Sequence, residues 1–458
     1  MTNTNDLTTG RVGSKIIRFF IPVLLTSALQ QVYSFVDSLI VGRGLGDDSL
    51  GAVGNMGSLT FFVIGFSMGL TNGFAVNIGQ FYGARDEKNL KRSVAAAIRL
   101  SAIIAAILTV LSIVFLRQVL VWLATPSEII DESLRYGYVI FGGLVATIAY
   151  NLCASVLRAL GDSRTPFVAI IFSTVINIVF DYVTVFCLGM GVEGPALVTV
   201  AAQIVSVLIC LTRLGRIDII RPSRADFRSS AKISNELLRN GLPMAVMNSI
   251  TAVGCMVVQY FINDMGVAFT SAYAACSRYL NLFMTPGATA GQTMATFTSQ
   301  NYGARKYDRI NDGLKKCLLI AFAAYVIFGS VMVFFPDELA GLMLKGEVQI
   351  ALASGFLRRT GTMIFAVDML FVIRNGCQGM GRPLVPMISG VAEMVLRLGF
   401  IAVLVPVIGF NAAAFAEIAA WTGALIMNTC AYIYSISRLK GAGRVRFNRK
   451  GALHYNSN

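Results

Sequence analysis

The sequence predicts an all-α integral membrane protein with twelve transmembrane helices in two six-helix bundles, related by a pseudo-two-fold axis along the membrane normal. Three observations predict this fold class. Of the 458 residues, 55% are hydrophobic and only 14% are charged, which is far more apolar than a typical soluble domain. Apolar runs of about 20 residues, each long enough to cross a bilayer as a helix, follow one another almost to the end. Five letters of a six-letter phrase near residue 80 recur near residue 300.

The apolar runs place the helices in order along the chain. The polar stretch that precedes them contains no apolar segment typical of a cleaved signal peptide. The predicted spans are residues 16–41, 51–79, 93–117, 134–158, 166–189, 192–213, 237–263, 267–298, 314–335, 350–378, 384–406 and 410–437.

The basic residues predict the orientation of these helices. If the N-terminus is cytoplasmic and the helices alternate in direction, the outside loops and the span ends that border them hold only Arg43, Arg117, Arg135 and Lys345. This asymmetry follows the positive-inside rule. We therefore expect a multi-pass protein of the cytoplasmic (inner) membrane with both termini in the cytoplasm. The net charge of +14 then reports orientation and does not indicate a nucleic-acid partner.

The recurring phrase is QFYGAR at residues 80–85 and QNYGAR at residues 300–305. In each copy we expect the glycine to break the helix and the arginine to anchor it at the cytoplasmic interface. Other pairs recur at nearly the same interval: Pro22 with Pro243, Gly161 with Gly381, and Pro166 with Pro386. Since each half has an even number of spans, the halves form a parallel repeat, and the rocking of one half against the other would open a central cleft to alternate sides.

The repeat also predicts the domain boundaries. We expect an N-terminal lobe at 1–215, a polar cytoplasmic linker at 216–236, and a C-terminal lobe with a basic tail at 237–458. In the second span, the series Gly65, Gly69 and Gly73 predicts close approach of another helix backbone.

Acidic residues inside the spans are costly and indicate function. Asp181 follows Asn177 by four residues, so both lie on one helix face. Asp37 lies on the first helix, beyond Pro22, which removes a backbone hydrogen bond and permits a hinge. If these helices face each other, two carboxylates and an amide converge, and a proton or a cation such as Na⁺ must neutralise part of the charge. The alternative is a purely structural role, in which each acid only hydrogen-bonds a neighbouring group.

The other intramembrane acids have weaker interpretations. Glu393 and Arg397 are four residues apart, and we expect them to neutralise each other locally. Asp368 has no such partner, which leaves open whether it faces the cavity, and Glu417 has no assigned role. The eight cysteines show no metal-ligand spacing and are interpreted as packing residues. We expect no cofactor apart from the coupling ion.

A substrate cavity would suit methionine and aromatic side chains, because these repack around ligands of varied shape. The candidate cavity residues are Tyr33, Met256, Gln259, Tyr279, Phe283, Met284 and Asp368.

Together these features resemble the multidrug and toxic compound extrusion (MATE) family of bacterial efflux transporters over residues 14–440. The resemblance rests on Pro22 with Asp37 and the pair Val41–Gly42 in the first helix, on GDSRTP before the fifth, on INIVFD, and on the paired turns. It implies a cation site in the N-terminal half. The residues that match this site are Asp37, Asn151, Asn177, Asp181 and Thr199.

Another branch of the family has a sodium site in the second half, formed by acids on the tenth and seventh helices. Asp368 lies near the first of these positions, but the seventh predicted span contains no acid. The coupling site is therefore expected in the first half.

The favoured function is a secondary active antiporter that exports organic, often cationic and aromatic, compounds in exchange for H⁺ or Na⁺. It would act as a monomer, and it is not expected to be an enzyme. The chain lacks a GxxxxGK[ST] phosphate loop, which argues against direct use of ATP. The alternative is a flippase for lipid-linked oligosaccharides, for which Arg278 and Arg397 would hold a pyrophosphate. A channel or receptor is disfavoured, since neither a filter-like loop nor a soluble sensor domain is evident.

Overall fold

The computed structural model describes residues 6–123, 125–228 and 231–454, and every regular element in these ranges is helical. The ends of the predicted lobes, and residues 229 and 230 of the predicted linker, lie outside the described residues. The first half contains α1 (Val12–Leu45), α2 (Asp47–Gly83), α3 (Glu87–Trp122), α4 (Ser127–Gly142), α5 (Leu144–Ala159), α6 (Arg164–Tyr182), α7 (Glu193–Leu214) and α8 (Arg224–Phe227). The second half contains α9 (Ala231–Asp264), α10 (Val267–Phe283), α11 (Thr285–Gly303), α12 (Tyr307–Phe334), α13 (Pro336–Met343), α14 (Glu347–Gly379), α15 (Leu384–Ile408) and α16 (Asn411–His454).

Most of the long helices have the length and composition of membrane spans. Among the described residues, eight helices are long and apolar enough to cross a membrane, or nine if the bent pair α4 and α5 counts as one span. Helix α14 is not one of the eight. It carries Arg358, Arg359, Asp368 and Arg374, and the last two are buried inside the second half.

Three of the predicted spans are interrupted, and the one at 267–298 divides into α10 and α11 at Met284. Helices α4 and α5 meet at a 45° bend at Gly143, where a Cβ atom would lie 2.2 Å from the side chain of Val200. The glycine thus allows α7 to pack against the bend. Helix α6 continues into a π-helix at Val183–Cys187, and such wide turns often occur at functional sites.

The chain divides into two compact units. Within the described residues, the first unit consists of Asp6 and Ile17–Ala252. The second unit consists of Leu7–Ile16 and residues 253–454. The start of α1 therefore belongs to the second unit, and the start of α9 belongs to the first. Each unit has its own hydrophobic core, built around Leu70, Phe74 and Leu157 in the first and around Phe356, Leu357 and Ile364 in the second.

The repeated phrase forms the same turn twice, but arginine and not glycine adopts the left-handed conformation. Helices α2 and α11 end at the two glycines, and Arg85 and Arg305 follow with φ of 57° and 59°. The next backbone N–H then donates back to the carbonyl of Phe81 in the first copy and of Asn301 in the second. This hydrogen-bond pattern is a Schellman cap, in which glycine usually takes the left-handed position. Both helices thus end at the glycine, as expected, and the arginine two positions later takes the left-handed conformation.

Candidate functional site

Helices α1 and α6 approach closely in the first unit, and this contact positions two acids. A Cβ atom on Gly44 would lie 2.2 Å from Val185, so only a glycine lets α1 come this near to the π-helix. Seven residues earlier on the same face of α1, Asp37 lies beside Asp181 of α6, and the two carboxyl groups are close enough to interact directly. The structure thus brings these two predicted residues together.

The carboxylate oxygens at this contact lack hydrogen-bond donors. Asp181 is fully buried, and neither of its oxygens has a partner among the described residues, nor has Oδ1 of Asp37. The amide oxygen of Asn177, one turn before Asp181, is likewise buried without a donor in the described part of the chain. Buried acceptors without partners are unfavourable, and a bound proton or cation would remove that cost.

A hydroxyl and amide cluster completes the site. Thr199 of α7 shares a hydrogen bond with the Tyr33 hydroxyl at 3.0 Å, and it accepts one from Asn177 Nδ2 at 3.3 Å. Tyr33, which we expected in the substrate cavity, thus lies in direct contact with a predicted cation-site residue. Asn151 is half-buried on α5, and its Nδ2 has no hydrogen-bond partner among the residues described.

Two further side chains belong to this region and were missed by sequence reasoning. The phenol of Tyr136 on α4 lies close enough to Tyr33, Asp37 and Asp181 to interact with all three. Gln203 follows Thr199 by one helical turn, and its Oε1 is buried without a partner in the described ranges. The spacing of Gln203 was a usable signal. Tyr136 gave no such signal, because tyrosines are common in apolar runs and do not by themselves indicate a site.

Two carboxylates with neutral oxygen and amide neighbours suit a proton or a monovalent cation. Hard cations bind oxygen ligands, and within the described ranges no cluster of three or more His, Cys, Asp or Glu side chains could hold a metal ion. The residues present therefore fit the coupling ions that the sequence predicts.

In the second unit, Asp368 is buried on α14 with its Oδ1 unpartnered among the described residues. It packs against α11 at Gly287, where a Cβ atom would lie 2.1 Å from that oxygen. Of the other predicted cavity residues, Phe283 belongs to the core and stacks on Phe328 with ring centroids 5.0 Å apart. Met284 packs against the same core.

The remaining predicted cavity residues also lie in the second unit. The Tyr279 hydroxyl donates to the carbonyl of Leu339 at 2.6 Å. Gln259 donates to Asn263 on its own helix at 2.7 Å, and Met256 is half-buried on α9. Their assignment to a substrate cavity stays a prediction.

The expected local pair of Glu393 and Arg397 does not form. Glu393 instead accepts from Arg374 of α14 at 2.8 Å, and Arg397 donates to Glu417 of α16 at 2.9 Å. All four side chains are buried. Residues on neighbouring helices offer these groups closer contacts than the adjacent turn does. Glu417, which had no assigned role, thus pairs with Arg397, and Arg374 is a buried charge that the sequence analysis missed.

Membrane-length helices throughout the described ranges, with an acid pair inside one bundle, are typical of a multi-pass membrane transporter. The MatE family model matches residues 22–183 and again residues 243–403, one match in each half. The chain therefore belongs to the MatE family, the multidrug and toxic compound extrusion transporters. The resemblance inferred from sequence is confirmed, and a family of transporters also confirms that the protein is not an enzyme.

Individual relatives cover most of the chain. The probable multidrug resistance protein YoeA of Bacillus subtilis is 29% identical over 356 residues, which span 75% of this chain and 76% of that protein. A protein of Shewanella oneidensis named FAD transporter is 21% identical over 87% of this chain and 89% of its own. The crystal structure of a MATE protein in complex with MaL6 has a TM-score of 0.90 at 22% identity, covering 96% of this chain and all of that one. This likeness confirms the predicted fold class.

Proposed function

We propose that this protein is a secondary active antiporter, which exports organic compounds in exchange for inward-moving H⁺ or Na⁺ by alternating access. The observation that supports this most directly is the contact between Asp37 and Asp181, whose oxygens lack donors among the described residues. Two adjacent carboxylates cannot both stay ionised cheaply in a low-dielectric site. They therefore bind a proton or a cation and release it when their surroundings change.

The neighbouring residues take defined parts in this proposal. Asp37 and Asp181 carry the exchangeable charge, and Asn177 supplies a neutral oxygen beside them. Thr199 links Asn177 to Tyr33 of α1, so any change in charge at the acids also changes the contacts that α1 makes. A bound ion can shift a conformational equilibrium only through different affinity for the two states. The junction between α1 and α7 is where such a difference would arise.

The class of substrate follows from the relatives and from side-chain chemistry. Several relatives are named multidrug resistance or multidrug export proteins, and we propose that this chain likewise exports organic, often cationic and aromatic compounds. The FAD transporter indicates that substrates within this group of relatives are not all cationic. We further propose a location in the inner membrane, with both termini in the cytoplasm, and a monomeric state.

The test is transport by the purified protein in liposomes. Efflux of a fluorescent organic cation such as ethidium should follow an imposed proton gradient or an imposed sodium gradient, applied in separate experiments. The gradient that drives efflux identifies the coupling ion. If neither gradient moves the dye, or if efflux is the same without a gradient, antiport of organic cations is excluded.

A further inference from the structure

A short non-helical segment before α1, residues 7–10, docks on the second unit, and we refer to it as the strap. The Leu7 side chain is fully buried, and Thr8 is only 6% exposed. The backbone N–H of Leu7 donates to Oε1 of Gln300 on α11 at 3.0 Å. Non-helical segments usually run over the surface of a protein, so this burial indicates a specific binding site for the strap.

Side chains at the turn between α11 and α12 bind the backbone of the strap. Asn301 Nδ2 donates to the carbonyl of Leu7 at 3.3 Å. The Lys306 ammonium donates to the carbonyl of Thr8 at 2.8 Å. Because these contacts are made with main-chain carbonyls, they hold the path of the chain and not a particular side chain.

Arg309, in the first turn of α12, binds the rest of the strap. Its Nη1 donates to the carbonyl of Gly10 at 2.9 Å. Its Nη2 donates to the carbonyls of Leu7 and Thr9 at 3.1 and 3.4 Å, and its Nε donates to Oδ1 of Asn301 at 3.1 Å. All four carbonyls of the strap therefore accept hydrogen bonds from the second unit. Hydrogen bonds from charged donors such as this guanidinium are stronger than neutral ones.

The three donors distinguish the second copy of the repeat from the first. The copies begin at residues 80 and 300, and at this interval Asn301, Lys306 and Arg309 correspond to Phe81, Asp86 and Asn89. Asn301 is the one letter in which QNYGAR differs from QFYGAR. Neither phenylalanine nor an ionised aspartate can donate from its side chain, and Asn89 donates to Asp86 at the start of α3. The residues that bind the strap are thus specific to the second half.

The strap leads directly into α1, a helix that belongs to both units. Leu7–Ile16 is part of the second unit, and from Ile17 onward the helix is part of the first. The same helix carries Tyr33 and Asp37 of the candidate cation site. Since α1 is continuous, the strap fixes one end of the helix to the second unit while the cation-site residues belong to the other.

We propose that the strap is a latch, which holds the start of α1 on the second unit and so transmits the movement of that unit to Asp37 during transport. The proposal rests on the proposed function, because it gives the strap a part in ion-coupled alternating access. When the strap is released, the start of α1 is free to follow the first unit. Coupling between ion and substrate is then lost, whereas substrate binding is retained.

Hydrogen–deuterium exchange of the full-length protein in nanodiscs reports docking of the strap without any ion gradient. Leu7→Asp places a charge at a fully buried position and should release the strap. Peptides that cover residues 7–16 should then exchange about tenfold faster or more, because released segments lose their protection. The matched control is Thr9→Asp, which adds the same charge at an exposed side chain of the strap and should leave the exchange rate unchanged.

A second variant removes the donors and keeps the strap intact. The combined changes give the second copy the residues of the first: Asn301→Phe, Lys306→Asp and Arg309→Asn. This variant should also release the strap, whereas Lys315→Asp, at an exposed position of α12, should not. If exchange stays slow both in this variant and in Leu7→Asp, these contacts do not hold the strap and the proposal is refuted.

Transport by the same variants tests the latch. In liposomes, with the gradient that drives efflux by the wild type, each variant with a released strap should lose about fivefold or more of its ethidium efflux, whereas its affinity for ethidium stays within about twofold. The two control variants should transport normally. Wild-type efflux with a released strap overturns the proposal, as does a loss of affinity that matches the loss of efflux. If the wild type itself shows no gradient-driven efflux, antiport fails, and the exchange measurement still reports whether the strap is docked.

Discussion

Asp37 of α1 and Asp181 of α6 lie side by side in the first unit, and both oxygens of Asp181 lack a hydrogen-bond donor among the described residues. The approach is possible because Gly44, further along the same face of α1, permits contact with Val185. The pair therefore depends on the packing of two helices, and each acid sets the electrostatic environment of the other.

We predict that Asp37→Asn and Asp181→Asn each abolish gradient-driven efflux while the protein still folds. An amide cannot exchange a proton and holds a cation weakly, whereas its size matches the carboxyl group. Efflux from liposomes is the measurement, with thermal unfolding in detergent as the check on folding. Asp131→Asn, an exposed acid on α4 in the same unit, is the control and should transport normally. Near-normal efflux by both site variants would remove the pair from the mechanism.

Pro22 is predicted to matter for coupling more than for substrate binding. It lies inside the continuous helix α1, where the missing N–H lets the helix bend at modest cost. Asp37 follows about 22 Å along the same helix at 1.5 Å per residue. Pro22→Ala should therefore lower gradient-driven efflux severalfold while substrate affinity, measured by fluorescence in detergent, stays within about twofold.

The matched control is Pro243→Ala, at the corresponding position of α9. That helix carries none of the cation-site residues, so its variant should retain more of the coupled efflux. If Pro22→Ala leaves both efflux and affinity unchanged, the proline is part of the architecture and not of the transport cycle.

The sequence predicted the membrane helices and the acid pair well, because both leave strong one-dimensional signals. Long apolar runs are unambiguous, and an acid such as Asp37 or Asp181 inside one is rare enough to attract notice. Tyr33 was harder. Its contact with Thr199 depends on the register between α1 and α7, which no spacing within a single helix reveals.

The buried ion pairs show the same limit in the second unit. A spacing of four residues places Glu393 and Arg397 on one helix face, but it does not say whether a neighbouring helix offers a better partner. Arg374 and Glu417 are those partners. Likewise, the sequence predicted a helix end at the repeated turn but did not indicate that the arginine two residues after the glycine takes the left-handed conformation. Arg85 tolerates that conformation because the cap hydrogen bonds require it.

A double-mutant cycle should assign the buried pairs. Arg397→Gln alone should destabilise the protein by about 3–5 kcal/mol, because Glu417 is left buried and unpaired. Adding Glu417→Gln should recover much of that loss, whereas adding Glu393→Gln should recover little. Shifts in the thermal unfolding midpoint in detergent provide the measurement. If Glu417→Gln and Glu393→Gln recover the lost stability equally, the assignment of Glu417 as the partner of Arg397 is contradicted and a local pair with Glu393 is favoured.

The last prediction concerns the glycines of α2. The sequence places Gly65 and Gly73 in one series, but the structure gives them different surroundings. A Cβ atom on Gly73 would lie 2.4 Å from the Cα atom of Gly241 on α9, whereas one on Gly65 would meet nothing within 4 Å. Backbone cannot move aside as a flexible side chain can, so Gly73→Ala must separate α2 from the start of α9. We expect it to destabilise the first unit by about 1–3 kcal/mol, as overpacking typically does. Gly65→Ala should be neutral or stabilise by up to about 1 kcal/mol, because alanine is the better helix former. Thermal unfolding of the two variants, side by side in detergent, is the measurement. Equal midpoints would show that the close approach of α2 and α9 is not needed for stability.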